Sequence, residues 1–373
     1  MLILGKLRIT EHFFSVPRDH STPSLGNIQL FARSCQRADT PIVPSPPDQS
    51  SSEKKQSPLP WLVYLQGGPG FECRHPANSA WTQTILDKGY QILFLDQRGT
   101  GLSNAISAST LQLRGNEAVQ AQYLKSFRAD SIVRDCEAVR KALTADYPED
   151  RQKWSVIGQS FGGFCATTYL SFYPEGLREV FLFGGLPPLV SQPDEVYKKL
   201  FDRVARRNLD YYRKHPTDVE RVDRIVRFLE RCEDNRVKFD EDGAYLSPRR
   251  FLQLGLEFGR HGGIDAVHEI VLRCDSDLKQ FGHLTRPTTM AIEQNGSFDS
   301  NVLYALLHEP IYCQGNASDW SAERVYQTLP AFSLQTKGPI LFTAEMVSLM
   351  HHSSTYLLHR CMLTFATDLP LHV

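Results

Sequence analysis

The hexapeptide Gly158-Gln159-Ser160-Phe161-Gly162-Gly163 constrains this chain more than any other feature. It directly follows the apolar run WSVI and directly precedes the helix-like stretch FCATTYLSFY. A serine held at a sharp strand-to-helix turn needs neighbours with almost no side chain two residues to either side, because the turn presses strand and helix backbones together. Gly158 and Gly162 meet that demand, so Ser160 is the candidate nucleophile. The N–H of Phe161, the next residue, is a candidate donor to a developing oxyanion.

The surrounding pattern says what kind of fold could carry such a turn. Short apolar runs bounded by turn residues predict strands at Trp61 to Leu65, Gln91 to Leu95, Trp154 to Ile157, Glu179 to Phe183 and Pro339 to Thr343. The first four interleave with helix-like segments such as Ala129 to Leu143, which argues for an α/β core with a mostly parallel sheet covered on both faces. Upstream, ITEHFFSV and NIQLFAR alternate apolar and polar residues around a turn-rich middle and predict an antiparallel hairpin at a sheet edge. Thr40 to Pro60 is rich in Ser, Pro, Lys and Gln and reads as a mobile surface loop. From Glu195 to about Arg324 strand signals stop and amphipathic helical patterns take over, predicting a helical cap inserted into the core. The expected division is a core over 1–190 with a flexible loop at 40–60, a helical cap over 191–335, and a return to the core with an atypical C-terminus over 336–373.

Charge narrows the partners. With 41 basic and 42 acidic residues there is no electrostatic reason to expect nucleic acid or an anionic membrane, so a small-molecule or peptide substrate is the default. Met1 to Thr10 lacks a proper secretory apolar region, and no later segment offers about 18 uninterrupted apolar residues. The chain therefore reads as soluble and cytoplasmic. Its 8 cysteines contain no C-x-x-C pair, which suggests neither a zinc knuckle nor a redox motif and points to reduced thiols.

Two further motifs join the first. Gln66-Gly67-Gly68-Pro69-Gly70 follows the predicted strand WLVYL, where glycines let backbone N–H groups approach an oxyanion; Gly67 and Gly68 are the candidates. Asp96-Gln97-Arg98-Gly99-Thr100-Gly101-Leu102-Ser103 follows QILFL, and its Asp and Arg suit charge-assisted bonds that tie neighbouring loops together. In this order the three blocks resemble the proline iminopeptidases, whose pattern is HGGPG, then DQRGxGxS, then GxSxGG. The likeness runs from about Ile9 to Met346 and includes YALLHEPIYCQG at Tyr304 to Gly315; Gln66 stands where shorter-chain members have His.

The resemblance implies an α/β-hydrolase fold with a helical cap insertion, and a serine peptidase that removes N-terminal proline from peptides without a cofactor. It also implies a cap carboxylate that pairs with the substrate's free amino group, for which Glu309 is the best match and Glu257 a weaker one. A surface glutamate on a cap helix is the plain alternative for Glu309. Ser at the elbow argues against the epoxide and haloalkane branches of the fold, which use Asp there.

A serine hydrolase on this fold needs an acid and a histidine after the nucleophile, in that order. The family segments that carry them do not follow FTAEM at Phe342 to Met346; the sequence instead reads VSLMHHSSTYLLHRCMLTFATDLPLHV. The expectation is a shortened or altered C-terminus and a chain with little peptidase activity. Ser160, Glu345 and His372 would still satisfy the chain order, with His351, His352 and His359 competing as the base. A general esterase on the same scaffold and an inactive isoform are the competing functions.

Overall fold

The computed structural model describes residues 2–4, 6–38, 58–77, 79–232, 246–295, 298, 301–313 and 315–346. The expected loop at 40–60 therefore lies mostly outside the described residues, and the stretch after Met346 with its histidines lies wholly outside them. Two compact units emerge, one comprising Met1–Gly115 with Gln122–Pro187, the other Asn116–Ala121 with Pro188–His372.

The first unit is built on seven strands: β1 (Leu2–Leu4), β2 (Leu7–Pro17), β3 (Asn27–Arg37), β4 (Trp61–Leu65), β5 (Gln91–Asp96), β6 (Trp154–Gln159) and β7 (Leu177–Phe183). Their order across the sheet is β1-β2-β3-β5-β4-β6-β7. β2 and β3 form the expected antiparallel hairpin, with Leu7 opposite Arg37 and Pro17 opposite Asn27, and β3 runs antiparallel to β5. β5, β4, β6 and β7 are mutually parallel. The burial of QILFLD along its whole length explains why β5 reads as a continuous apolar run rather than an alternating one. Helix Ala129–Leu143 buries Ile132, Val133, Cys136 and Val139, a spacing that lays one apolar stripe along the helix.

β7 closes the described sheet at one edge, and its pattern changes accordingly: Phe181 and Phe183 are 41% and 56% exposed. β6 is an interior strand flanked by β4 and β7, although it lies second from that edge rather than at the centre.

The second unit is helical and shows no strand among its described residues. Its longest helices, Pro193–Lys214, Asp218–Arg231 and Gly263–Phe281, bury a core that includes Tyr211, Val222, Ile225, Phe258, Val271 and Phe342. Phe342 belongs to the predicted strand Pro339 to Thr343, and here the structure corrects the sequence reading: the segment forms no strand and pairs with none among the described residues. Its backbone is satisfied by a side chain. Asn208, fully buried in the long helix, donates its amide to the Phe342 carbonyl at 2.9 Å and accepts the Phe342 N–H at 2.8 Å, as a neighbouring strand would. The Thr343 N–H adds a bond to the Leu252 carbonyl at 2.9 Å.

Candidate active site

Ser160 occupies the turn between β6 and helix Phe161–Phe172, with φ 53° and ψ −121°, a conformation that non-glycine residues rarely adopt. Two bonds fix it: its N–H donates to the Phe183 carbonyl at 3.0 Å, and its carbonyl accepts from the Gly163 N–H at 2.8 Å. The glycines around it are steric requirements. A Cβ on Gly158 would run into the Gly162 carbonyl, one on Gly162 into the Leu65 carbonyl, and one on Gly163 into the Gly185 carbonyl. All three obstacles are backbone and cannot move aside cheaply.

The glycine loop after β4 meets this turn. A Cβ on Gly67 would lie 2.9 Å from the Ser160 Cβ, so the loop backbone packs directly on the candidate nucleophile. The two glycines differ in what they offer. The Gly67 N–H donates to the Oε1 of Gln66 at 2.9 Å, whereas the Gly68 N–H has no hydrogen-bond partner among the described residues. Phe161 opens its helix, where the first N–H groups have no intrahelical acceptor. Ser160, Gly67 and Phe161 are thus brought together, and Gly68 follows on the same turn. Among the described residues no carboxylate or imidazole hydrogen-bonds the Ser160 hydroxyl.

The DQRG block is architecture, as its charges suggest. Arg98 is fully buried and spends Nε and Nη2 on the two oxygens of Asp135 at 2.7 and 2.6 Å. Its remaining protons go to the carbonyls of Pro17, Arg18 and Ser126. Asp96 accepts the N–H of Cys73 at 2.9 Å and of Leu102 at 3.0 Å, and burial raises its carboxyl above the usual range. Gln97 donates to the Gln66 carbonyl at 3.0 Å, which ties this loop to the glycine loop.

In the helical unit Glu309 is not a surface residue: it is 1% exposed, and its two oxygens accept the N–H groups of Ser321 and Ala322 at 3.0 and 2.8 Å. These are the first N–H groups of helix Ser321–Gln327, whose preceding residue, Trp320, is left-handed and supplies no side-chain cap. Burial nevertheless pushes the Glu309 carboxyl up to about 7. Glu257 pairs with Arg260 at 3.0 Å. Glu345 is held by the Tyr304 hydroxyl and by the Nε2 of His308 at 3.3 Å, while the Nδ1 of His308 meets the Tyr197 hydroxyl at 3.4 Å.

Sequence reasoning missed two bracing groups. Asp135 carried no signal, because an acid on an amphipathic helix looks like any solvated one. Gln66 did carry a signal, as the departure from His in an otherwise matching motif. Among the described residues no cluster of three or more His, Cys, Asp or Glu is placed to hold a metal, and no helix is long and apolar enough to cross a membrane.

Comparison with known proteins agrees with this geometry. The family model of the α/β hydrolase fold matches residues 60–238. The chain is 48% identical over 344 residues to proline iminopeptidase aneH of Aspergillus aculeatus, covering 92% of this chain and 72% of that protein. It is 38% identical over 348 residues to a proline iminopeptidase of Aeromonas sobria, covering 92% of this chain and 75% of the other. A shorter match, 27% over 154 residues, covers 41% of this chain and 44% of a proline iminopeptidase of Thermoplasma volcanium.

Proposed function

The chain belongs to the proline iminopeptidase family on the α/β-hydrolase fold, and from that membership we propose that it is a serine aminopeptidase releasing N-terminal proline from peptides. The observation that carries the proposal is the elbow itself: Ser160 in a strained turn, with the glycine loop packed on its Cβ. In this reading the Ser160 Oγ attacks the proline carbonyl, the hydroxyl proton passes to a base, and the carbonyl oxygen becomes an oxyanion. The N–H of Phe161 and an N–H of the Gly67-Gly68 turn receive that charge. Collapse expels the amine of the second residue as it regains the proton, and water then releases proline from the acyl-enzyme. The helical unit is the cap insertion. Within it Glu309 is the proposed partner of the substrate's ammonium, since the two helix N–H groups and the Ser318 hydroxyl leave part of the carboxylate's acceptor capacity unused.

An acid and a base for this reading would have to be Glu345 and His372, which keep the required chain order, the histidine lying outside the described residues. One observation favours a second reading, a chain that keeps the elbow without turnover: the Glu345 carboxylate is already held by Tyr304 and His308. Proline-β-naphthylamide and a p-nitrophenyl ester, assayed side by side with the Ser160→Ala variant, separate the cases. Proline release that disappears in Ser160→Ala supports the peptidase. Ester cleavage alone makes it a general esterase, and silence with both substrates selects the second reading.

A further inference from the structure

Resting on the serine-hydrolase reading above, we infer that Gln66 is a positioning residue of the oxyanion loop: it holds the Gly67 N–H, so that the loop presents the Gly68 N–H as its donor. The Gln66 Oε1 accepts two protons, from the Gly67 N–H at 2.9 Å and from the Tyr64 hydroxyl at 3.0 Å. Its Nε2 crosses the loop to the Glu72 carbonyl at 3.3 Å, and its own carbonyl accepts from Gln97 at 3.0 Å. Tyr64 is anchored in turn against the rings of Trp81 and Phe94, with centroids 5.5 and 5.8 Å away. The acceptor that fixes Gly67 is therefore part of an aromatic cluster on the sheet rather than a free surface amide.

A glycine turn needs such a brace. Glycine has the widest backbone freedom of any residue, and an oxyanion donor displaced by a fraction of an ångström loses much of its effect. Because Gly67 packs on the Ser160 Cβ, a rotation of its peptide would disturb the nucleophile as well. Of the two N–H groups the turn has to offer, the bond to Gln66 commits the first, and the second has no partner among the described residues. An amide also keeps its donors and acceptor at every pH, whereas the imidazole of the resembling shorter chains titrates. The brace in this chain is thus independent of pH.

The test uses the full chain labelled with ¹⁵N-glycine, as wild type, Gln66→Leu and Gln66→Glu. Amide exchange at Gly67 is expected to be slow in the wild type and several-fold faster in Gln66→Leu. It should be slow again in Gln66→Glu, which keeps an oxygen acceptor in the same place. On proline-β-naphthylamide, Gln66→Leu should lower kcat about tenfold with KM unchanged, short of the ~10²–10³ lost when a donor is removed outright. Binding of a prolyl boronate with a free amine, which forms the tetrahedral adduct, should weaken in the same proportion. Equal Gly67 exchange in wild type and Gln66→Leu overturns the inference, as does an unchanged kcat in that variant. A wild type that turns over nothing sinks the hydrolase reading instead, and the exchange comparison then decides the brace by itself.

Discussion

Replacing Asp135 by Asn takes one charge out of a site where its partner cannot escape to water. Arg98 is fully buried and every guanidinium proton is assigned, two of them to Asp135 and the others to the carbonyls of Pro17, Arg18 and Ser126. An asparagine would keep one oxygen acceptor, turn an NH₂ toward an N–H of the guanidinium, and leave the cation uncompensated. Breaking a buried pair in this way costs about 3–5 kcal/mol. The natural control is Asp130→Asn on the same helix, whose pair with Arg134 at 3.1 Å involves an arginine side chain 38% exposed and is worth about 1 kcal/mol or less. Urea unfolding followed by tryptophan fluorescence reads the right unit, because Trp61, Trp81 and Trp154 lie in the sheet unit and Trp320 in the other. Asp135→Asn should lower the unfolding midpoint far more than Asp130→Asn. Equal shifts would refute the argument that Arg98 depends on this carboxylate.

Gly162→Ala should cost about 1–3 kcal/mol or prevent folding, because its Cβ meets the Leu65 carbonyl, whereas Gly259→Ala meets nothing and should be near neutral in a thermal melt. Glu309→Ala should raise KM for substrates with a free N-terminal proline and leave an N-blocked ester unchanged. Since the Glu309 carboxyl is raised to about 7, it is neutral below that pH and anionic above it, so KM for the free-amine substrate should fall as pH rises from 6 to 8. A flat profile would remove Glu309 from amine recognition. Asn208→Ala strands the buried N–H and C=O of Phe342, and at about 1–3 kcal/mol for each unsatisfied group should lower the melting of the helical unit as followed by far-UV circular dichroism.

What the sequence disclosed depended on whether the cause was local. The hairpin of β2 and β3, the parallel strands and the Ser160 elbow are announced by periodicity and by glycines spaced within a few residues of Ser160, even though Gly162 and Gly163 press on the distant Leu65 and Gly185 carbonyls. Pro339 to Thr343 read as a strand because a short apolar run looks alike whether its backbone is paired by another strand or by a side chain. The deciding partner, Asn208, lies far upstream and appears in the sequence as one more polar residue on a helix. The same distance hid Asp135 from Arg98. Glu309 was legible as a candidate from its motif, but its role as acceptor for the start of another helix required the fold.

Every described strand of the sheet lies before Gly184, and this has a consequence for synthesis on the ribosome. The described strands can pair as soon as β7 clears the exit tunnel, while most of residues 188–373 still have to be made, over roughly 10 to 30 s at ordinary elongation rates of about 5–20 residues per second. During that interval the nascent chain carries a sheet whose last described strand exposes Phe181 and Phe183, an edge suited to capture by a chaperone. Asn116–Ala121, translated early but grouped with the late helices, must wait for partners that have not yet been translated.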